Sequence, residues 1–312
     1  MVKEAGTPER NAISFDLEHW YTATLLADEV DDPVDHVEDS VEIVLNVLDQ
    51  HDVTATFFVS GDLAVAYPTT IGEIADAGHE LGSHGHSHTP LFELTPSTFE
   101  TEIEQSETAI EEAANVDVKG FRAPNFSVTP RTAWAFRVLE SNGYEYDSSV
   151  FPMRTPMYGV SGAPVQPYVV DDEEPFREVS NAANRSGLIE VPIAVVGSRL
   201  RLPIAGGFYA RLFPTKLLEW GIRRLNAAGI SATLYFHPWE FNPAVPVTSP
   251  PIHKRLISFY GVDGAVEKLD HLLESFEWGP VESLVDRSRR VDDVETTQNA
   301  PEEAESVEVP SR

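Results

Sequence analysis

Between residues 11 and 276, short β-branched or aromatic runs alternate with longer segments of helical periodicity, and this alternation constrains the fold most. Residues 12–15, 54–59, 81–83, 118–121, 188–191 and 232–236 have strand length and composition. Between them, residues 37–50 place Val37, Val41, Val44, Leu45 and Leu48 at helical spacing. Further helices are predicted over 71–77, 95–115, 129–142, 214–228 and 262–276, with Thr95 as a cap and Pro96 at a first helical position. Strands separated by helices pair in parallel through crossovers, so the chain is predicted to be α/β, an open doubly wound sheet or a barrel, with one domain over 11–286. The Pro-, Gly- and Asp-rich stretch 148–187 reads as an insertion over the active face. Residues 1–10 and 287–312 are expected to be disordered. From 291 onward there are seven acidic residues, one Arg and no aromatic, too little apolar surface to offset ordering entropy.

Charge narrows the partners. There are 51 acidic and 22 basic residues, a net −29, and a phosphate backbone would be repelled, so no nucleic acid is expected. Only five of the basic residues are Lys, a texture that resembles proteomes adapted to high salt, haloarchaeal ones included. The absence of cysteine excludes a disulfide scaffold, a thiolate nucleophile and any zinc site using sulfur. The opening residues carry no apolar segment and no run approaches the ~20 residues of a membrane span, so a cytoplasmic location without membrane insertion is expected.

Two motifs carry chemistry. Ser83-His84-Gly85-His86-Ser87-His88 offers imidazoles at alternate positions just after a strand, and His84 and His88 are candidate ligands of a divalent metal. Asp16-Leu17-Glu18 ends the first strand, where alternation places both carboxylates on one side. One can complete a two-histidine, one-carboxylate site while the other serves as base.

Read in order, Ser14-Phe-Asp16-Leu-Glu18, His84 to His88, Phe121-Arg122-Ala-Pro124, Tyr146-Asp147-Ser148-Ser149 and Leu234-Tyr-Phe-His237-Pro-Trp-Glu240 resemble the motifs of the NodB-homology polysaccharide deacetylases, carbohydrate esterase family 4. The His-Pro-Trp-Glu ending is similar to the branch with a C-terminal extension found in exopolysaccharide gene clusters. Two positions depart from the commoner pattern: Leu17 separates the two acids, as in the branch with allantoinase-like and some peptidoglycan-deacetylase-like members, and Tyr235 stands where Leu is usual.

The resemblance implies a distorted (β/α) barrel of seven or eight strands, with its site at the C-terminal strand ends. It implies hydrolysis of a non-peptide C–N bond in an N-acetylated sugar, of a polysaccharide or its precursor. A small amide or ureide substrate is the alternative, as is a carbohydrate-binding relative without catalysis. Glu18, His84 and His88 would hold one divalent ion, Zn²⁺ or else Co²⁺, Ni²⁺ or Mn²⁺. Asp16 would be the base and His237 the acid, with Arg122 holding Asp16 and Asp147 holding the imidazolium of His237. Arg122 and Asp147 also have structural readings, as an ion pair and as a turn-former. His86 has no assigned role, His19 and His79 read as structural, and Trp239, Tyr209 and Phe208 are candidates for sugar stacking or for the core.

Overall fold

The computed structural model describes residues 10–289 except 24, 28, 156–157, 179–184 and 199. Strand β1 (Asn11–Leu17) pairs in parallel with β2 (Thr56–Val59) and with a late strand, Thr233–Phe236. From β2 the parallel sheet continues through β3 (Glu80–Ser83), β4 (Gly120–Phe121) and β5 (Tyr146–Asp147). Beyond β5 come the antiparallel edge strand β6 (Tyr168–Asp171) and its partner β7 (Arg185–Glu190), which is parallel to β5. A hairpin of β8 (Val195–Val196) and β9 (Leu202–Pro203) precedes the late strand, β10, and β11 (Trp278–Gly279) pairs with the start of β1. Among the described residues parallel strands thus follow the order β10-β1-β2-β3-β4-β5-β7, with β11 parallel to the start of β1, a curled half-barrel with helices outside, in one domain.

Burial explains the curl. Every residue of β1 is buried. Ile13, Phe15 and Leu17 pack with Val44 and Leu48 of α1 (Val37–Gln50) and with Phe57 and Val59. The alternate residue Ala12 joins Phe58, Tyr146 and Ile189 in a second cluster, closed by Val281, Leu284 and Val285. The last two belong to a helix over residues 282–289, which crosses the expected boundary at 286. The rest of the expected disordered ends, residues 1–9 and 290–312, lies outside the described residues.

The remaining helices follow the sequence periods with instructive exceptions. The short α2 (Gly61–Ala66) leads into α3 (Pro68–Asp76). Helix α4 (Pro96–Ala114) opens on Thr95, whose Oγ1 accepts from Thr98 N–H at 3.3 Å, with Pro96 at its first position. Helix α5 (Trp134–Ser141) starts later than residue 129 because the Thr132 hydroxyl takes up the local backbone, accepting from Thr129 N–H at 2.8 Å and donating to Ser127 O at 2.6 Å. The stretch 148–187 extends the sheet with β6 as well as reaching over the active face. After it come α6 (Gly207–Leu212), α7 (Thr215–Asn226), α8 (Ile252–Phe259) and α9 (Ala265–Ser275). No helix among the described residues is long and apolar enough to cross a membrane.

Candidate metal and hydrolytic site

The C-terminal ends of β10, β1 and β3 open on a cleft of about 290 Å³ whose floor holds Asp16, Glu18, His84, His88 and His237. The strand period explains the Asp-Leu-Glu spacing. Leu17 points into the helix-covered core, and Asp16 and Glu18 both face the cleft, 2% and 4% exposed.

Glu18, His84 and His88 each offer a ligand atom within 4.8 Å of the others. His84 Nδ1 donates to the Arg122 carbonyl at 2.7 Å, which leaves Nε2 with its lone pair. Burial and the neighbouring His88 hold His84 well below the usual imidazole range, so it is neutral, as a ligand must be. Burial alone would push the Glu18 carboxyl up, but His88, His237 and His84 outweigh it and hold it down. Glu18 pairs with His88 through Oε2 and faces His237 Nε2 through Oε1 at 3.5 Å. A carboxylate converging with two histidines is the donor set of zinc and similar divalent ions, and the residues present fit such an ion.

The loop that delivers His88 carries strain, with His88 in the left-handed region at φ 54°. Glu102 of α4 holds the loop, accepting from the backbone N–H of His86 (3.0 Å) and Ser87 (2.8 Å) and from the Ser87 hydroxyl (2.9 Å). No local pattern in the sequence singled out Glu102. The His86 ring turns away from the cleft and packs against Gly61. His79 accepts from Ala55 N–H, with burial lowering it to about 4, and His19 pairs with Asp35 at 2.8 Å, both outside the cleft lining.

Arg122 lies under the cleft and is fully buried. Its Nη1 donates to Asp16 Oδ1 at 2.6 Å and to Ser14 Oγ at 2.8 Å, and Nε and Nη2 donate to Ser148 O and Oγ at 2.9 Å each. The guanidinium stacks 4.2 Å from the centre of Phe58.

The expected support of His237 by Asp147 is corrected. Asp147 Oδ1 accepts the Ser149 hydroxyl, and the Asp147 carboxyl interacts with that of Glu190, whereas the carboxylates acting on His237 are Glu240, Glu18 and Asp16. Burial raises Asp147 to about 6, and burial together with the neighbouring Asp147 pushes Glu190 well above its usual range, so the pair favours holding a proton. The carboxylate facing Nδ1 of His237 is that of Glu240, whose Oε2 lies 3.3 Å away. Burial opposes charge on His237, but Glu240 and Glu18 raise it to about 9.

The cleft walls are aromatic. Phe126, Tyr158, Phe208, Tyr209, Tyr235 and Trp239 line it, and Tyr158 comes from the 148–187 stretch. Trp239 stacks on the His237 ring at 5.3 Å and Tyr235 packs edge-on against Phe126 at 4.6 Å, so these two are built into the floor. Phe208 and Tyr209 stay partly exposed at the rim.

Residues 26–146 match the polysaccharide deacetylase family model, and residues 148–286 match that of a domain of unknown function (DUF3473). Residues 26–146 are thus similar to polysaccharide deacetylase domains, and the stretch similar to DUF3473 follows directly behind them. The extension is no separate unit, since β7 and β10 within it complete the sheet. Over 81 residues the chain is 33% identical to the peptidoglycan-N-acetylglucosamine deacetylase of Bacillus cereus, an alignment covering 26% of this chain and 30% of that protein, so the chain spans less than a third of this relative. It is 27% identical over 209 residues to a Schizosaccharomyces pombe protein assigned as a polysaccharide deacetylase, covering 64% of this chain and 62% of the other. The fold is that of a Mycobacterium smegmatis protein also assigned as a polysaccharide deacetylase, with a TM-score of 0.57, 19% identity and coverage of 98% and 96% of the two chains.

Proposed function

We propose that this chain is a metal-dependent hydrolase that removes acetyl groups from N-acetylated sugars. One observation carries the reading: a base candidate held by Arg122 and an acid candidate held by a carboxylate flank the same Glu18-His84-His88 trio. A divalent ion bound there, zinc being the first candidate, supplies Lewis acidity toward an acetamido oxygen and a water nucleophile.

The chain's own groups divide the proton work. Asp16 Oδ1 is fixed by Arg122, and the Asp16 carboxylate takes the proton of the attacking water. His237 enters protonated and gives its Nε2 proton to the nitrogen as the C–N bond breaks. That proton is needed because an unprotonated amide nitrogen is a very poor leaving group. The products are acetate and the free amine. A cleft of about 290 Å³ lies at the small end of ligand sites, which favours engagement of one sugar at a time and keeps a small amide as the competing substrate.

The deciding experiment incubates zinc-loaded protein in molar salt with N-acetylglucosamine oligomers and, separately, with allantoin. Acetate release from the oligomers alone is expected. Ring opening of allantoin without acetate release would replace the sugar reading with the small-amide one.

A further inference from the structure

We propose that Glu240, seated by Arg211, is the residue that positions His237, an inference that rests on the deacetylase reading above. Both side chains come from the DUF3473 stretch, and both are buried, at 3% and 5% exposure. The two oxygens of Glu240 have separate duties. Oε2 accepts the His237 backbone N–H at 3.0 Å and lies 3.3 Å from His237 Nδ1, so a single carboxylate oxygen holds the main chain and pairs in charge with the ring. Oε1 accepts from Arg211 Nη2 at 2.9 Å. The guanidinium is itself pinned, with Nη1 donating to Tyr260 O at 2.8 Å and Nη2 also to Ile257 O at 3.3 Å. Those carbonyls lie at the end of α8, whose Ile257 and Ser258 border the cleft.

A carboxylate held at both oxygens cannot swing away, and it favours the ring tautomer with hydrogen on Nδ1. The transferable proton is thereby confined to Nε2, on the cleft side and 3.5 Å from Glu18 Oε1. When the C–N bond breaks, its electron pair goes to nitrogen, which takes the Nε2 proton. The Nδ1 hydrogen stays facing Glu240, and water reprotonates Nε2 for the next turnover. Gly207 belongs to the same device, because a Cβ there would overlap the Glu240 carboxylate. Arg211 also compensates the charge that Glu240 carries into a buried position.

The test separates bonds that need an acid from one that does not. A 4-nitrophenyl ester releases a stable phenolate without help, whereas an N-acetyl sugar requires protonation of its nitrogen. Glu240→Gln should lower kcat on N-acetylglucosamine oligomers by about 10²-fold. KM, bound zinc and hydrolysis of 4-nitrophenyl acetate should stay within about threefold of the parent protein, a difference of less than about 1 kcal/mol. Glu240→Asp should recover part of the amide rate. Should Glu240→Gln not fold, Gly207→Ala displaces the carboxylate without removing charge, and the same selective loss is expected. Equal losses on both substrates, or no loss on either, would overturn the proposal. If the parent protein hydrolyses no N-acetyl sugar, the functional reading fails by itself. The positioning role is then read from ¹⁵N signals of His237, where an Nδ1 signal unmoved by Glu240→Gln refutes it and a changed tautomer population upholds it.

Discussion

Arg122 Nη1 lies 2.6 Å from Asp16 Oδ1 while the carbonyl of the same arginine accepts the Nδ1 hydrogen of His84. One residue at the end of β4 therefore sets both a candidate metal ligand and the candidate base. Its position between β3 and β5 makes this possible, since the main chain reaches back to His84 and the side chain crosses to β1. Replacing Arg122 by Met keeps much of the volume but leaves Asp16 buried without its cation. A loss of about 3–5 kcal/mol is expected from urea midpoints at fixed salt, the range for breaking one side of a buried pair. A midpoint within experimental scatter of the parent's would show that Asp16 finds solvent or another partner.

The metal trio makes a second prediction. His84→Ala and His88→Ala should each reduce bound zinc to well below one ion per chain, measured by metal analysis after dialysis. Asp16→Asn should keep the ion and lose turnover, because Asp16 is engaged by Arg122 rather than by the histidines. If Asp16→Asn loses zinc while Glu18→Gln retains it, ligand and base are exchanged.

Much of this arrangement was legible in the sequence. The five-point stripe of α1 gave its limits to the residue, because an amphipathic helix packed on one face of a sheet leaves little ambiguity of period. Two-residue strands such as β5 and β8 have no period to read, and they exist only because neighbours pair with them. The site divides the same way. Asp16, Glu18, His84 and His88 lie in two short motifs whose local geometry carries them to one place. Glu240 stands three residues after His237, and the tight turn at Pro238–Phe241 folds it back beneath the ring. Arg211 comes from another element altogether, and the short Asp-Ser-Ser motif does not reveal that Asp147 engages Ser149 and Glu190 instead of His237.

The Asp147–Glu190 pair predicts a pH dependence away from the metal. Burial lifts Asp147 to about 6 and Glu190 well above its usual range, so the folded protein holds a proton there that the unfolded chain releases. A carboxyl raised on folding stabilises fully below its unfolded pKa and loses that contribution as pH rises through the folded value. Stability should therefore decline for this pair from about pH 4 upward, through 6 and beyond. Glu190→Gln supplies a permanent N–H to Asp147 and can keep the bond from Val150 N–H, which Glu190 Oε1 now accepts at 2.9 Å. The variant should gain on the order of 1 kcal/mol over the parent at about pH 8 and little at about pH 5. Parallel stability curves for the two proteins would remove the shared proton from the account.

Salt dependence is the broadest prediction, and α4 shows its origin. Glu100, Glu104, Glu107 and Glu111 follow one another at three- and four-residue spacing on a helix that contains no basic residue. Burial, then Glu111 and Glu104, push the Glu107 carboxyl up, as expected where like charges crowd a partly covered group. With a net charge of −29 such repulsion acts across the whole molecule. It extends over about 30 Å at 0.01 M salt and about 3 Å at 1 M. The melting temperature should therefore rise steeply between those two salt levels. Glu104→Lys, which turns two repulsions on α4 into attractions, should raise the low-salt value and flatten the dependence. Equal melting temperatures at 0.01 M and 1 M would show that the acidic surface carries no adaptation to salt.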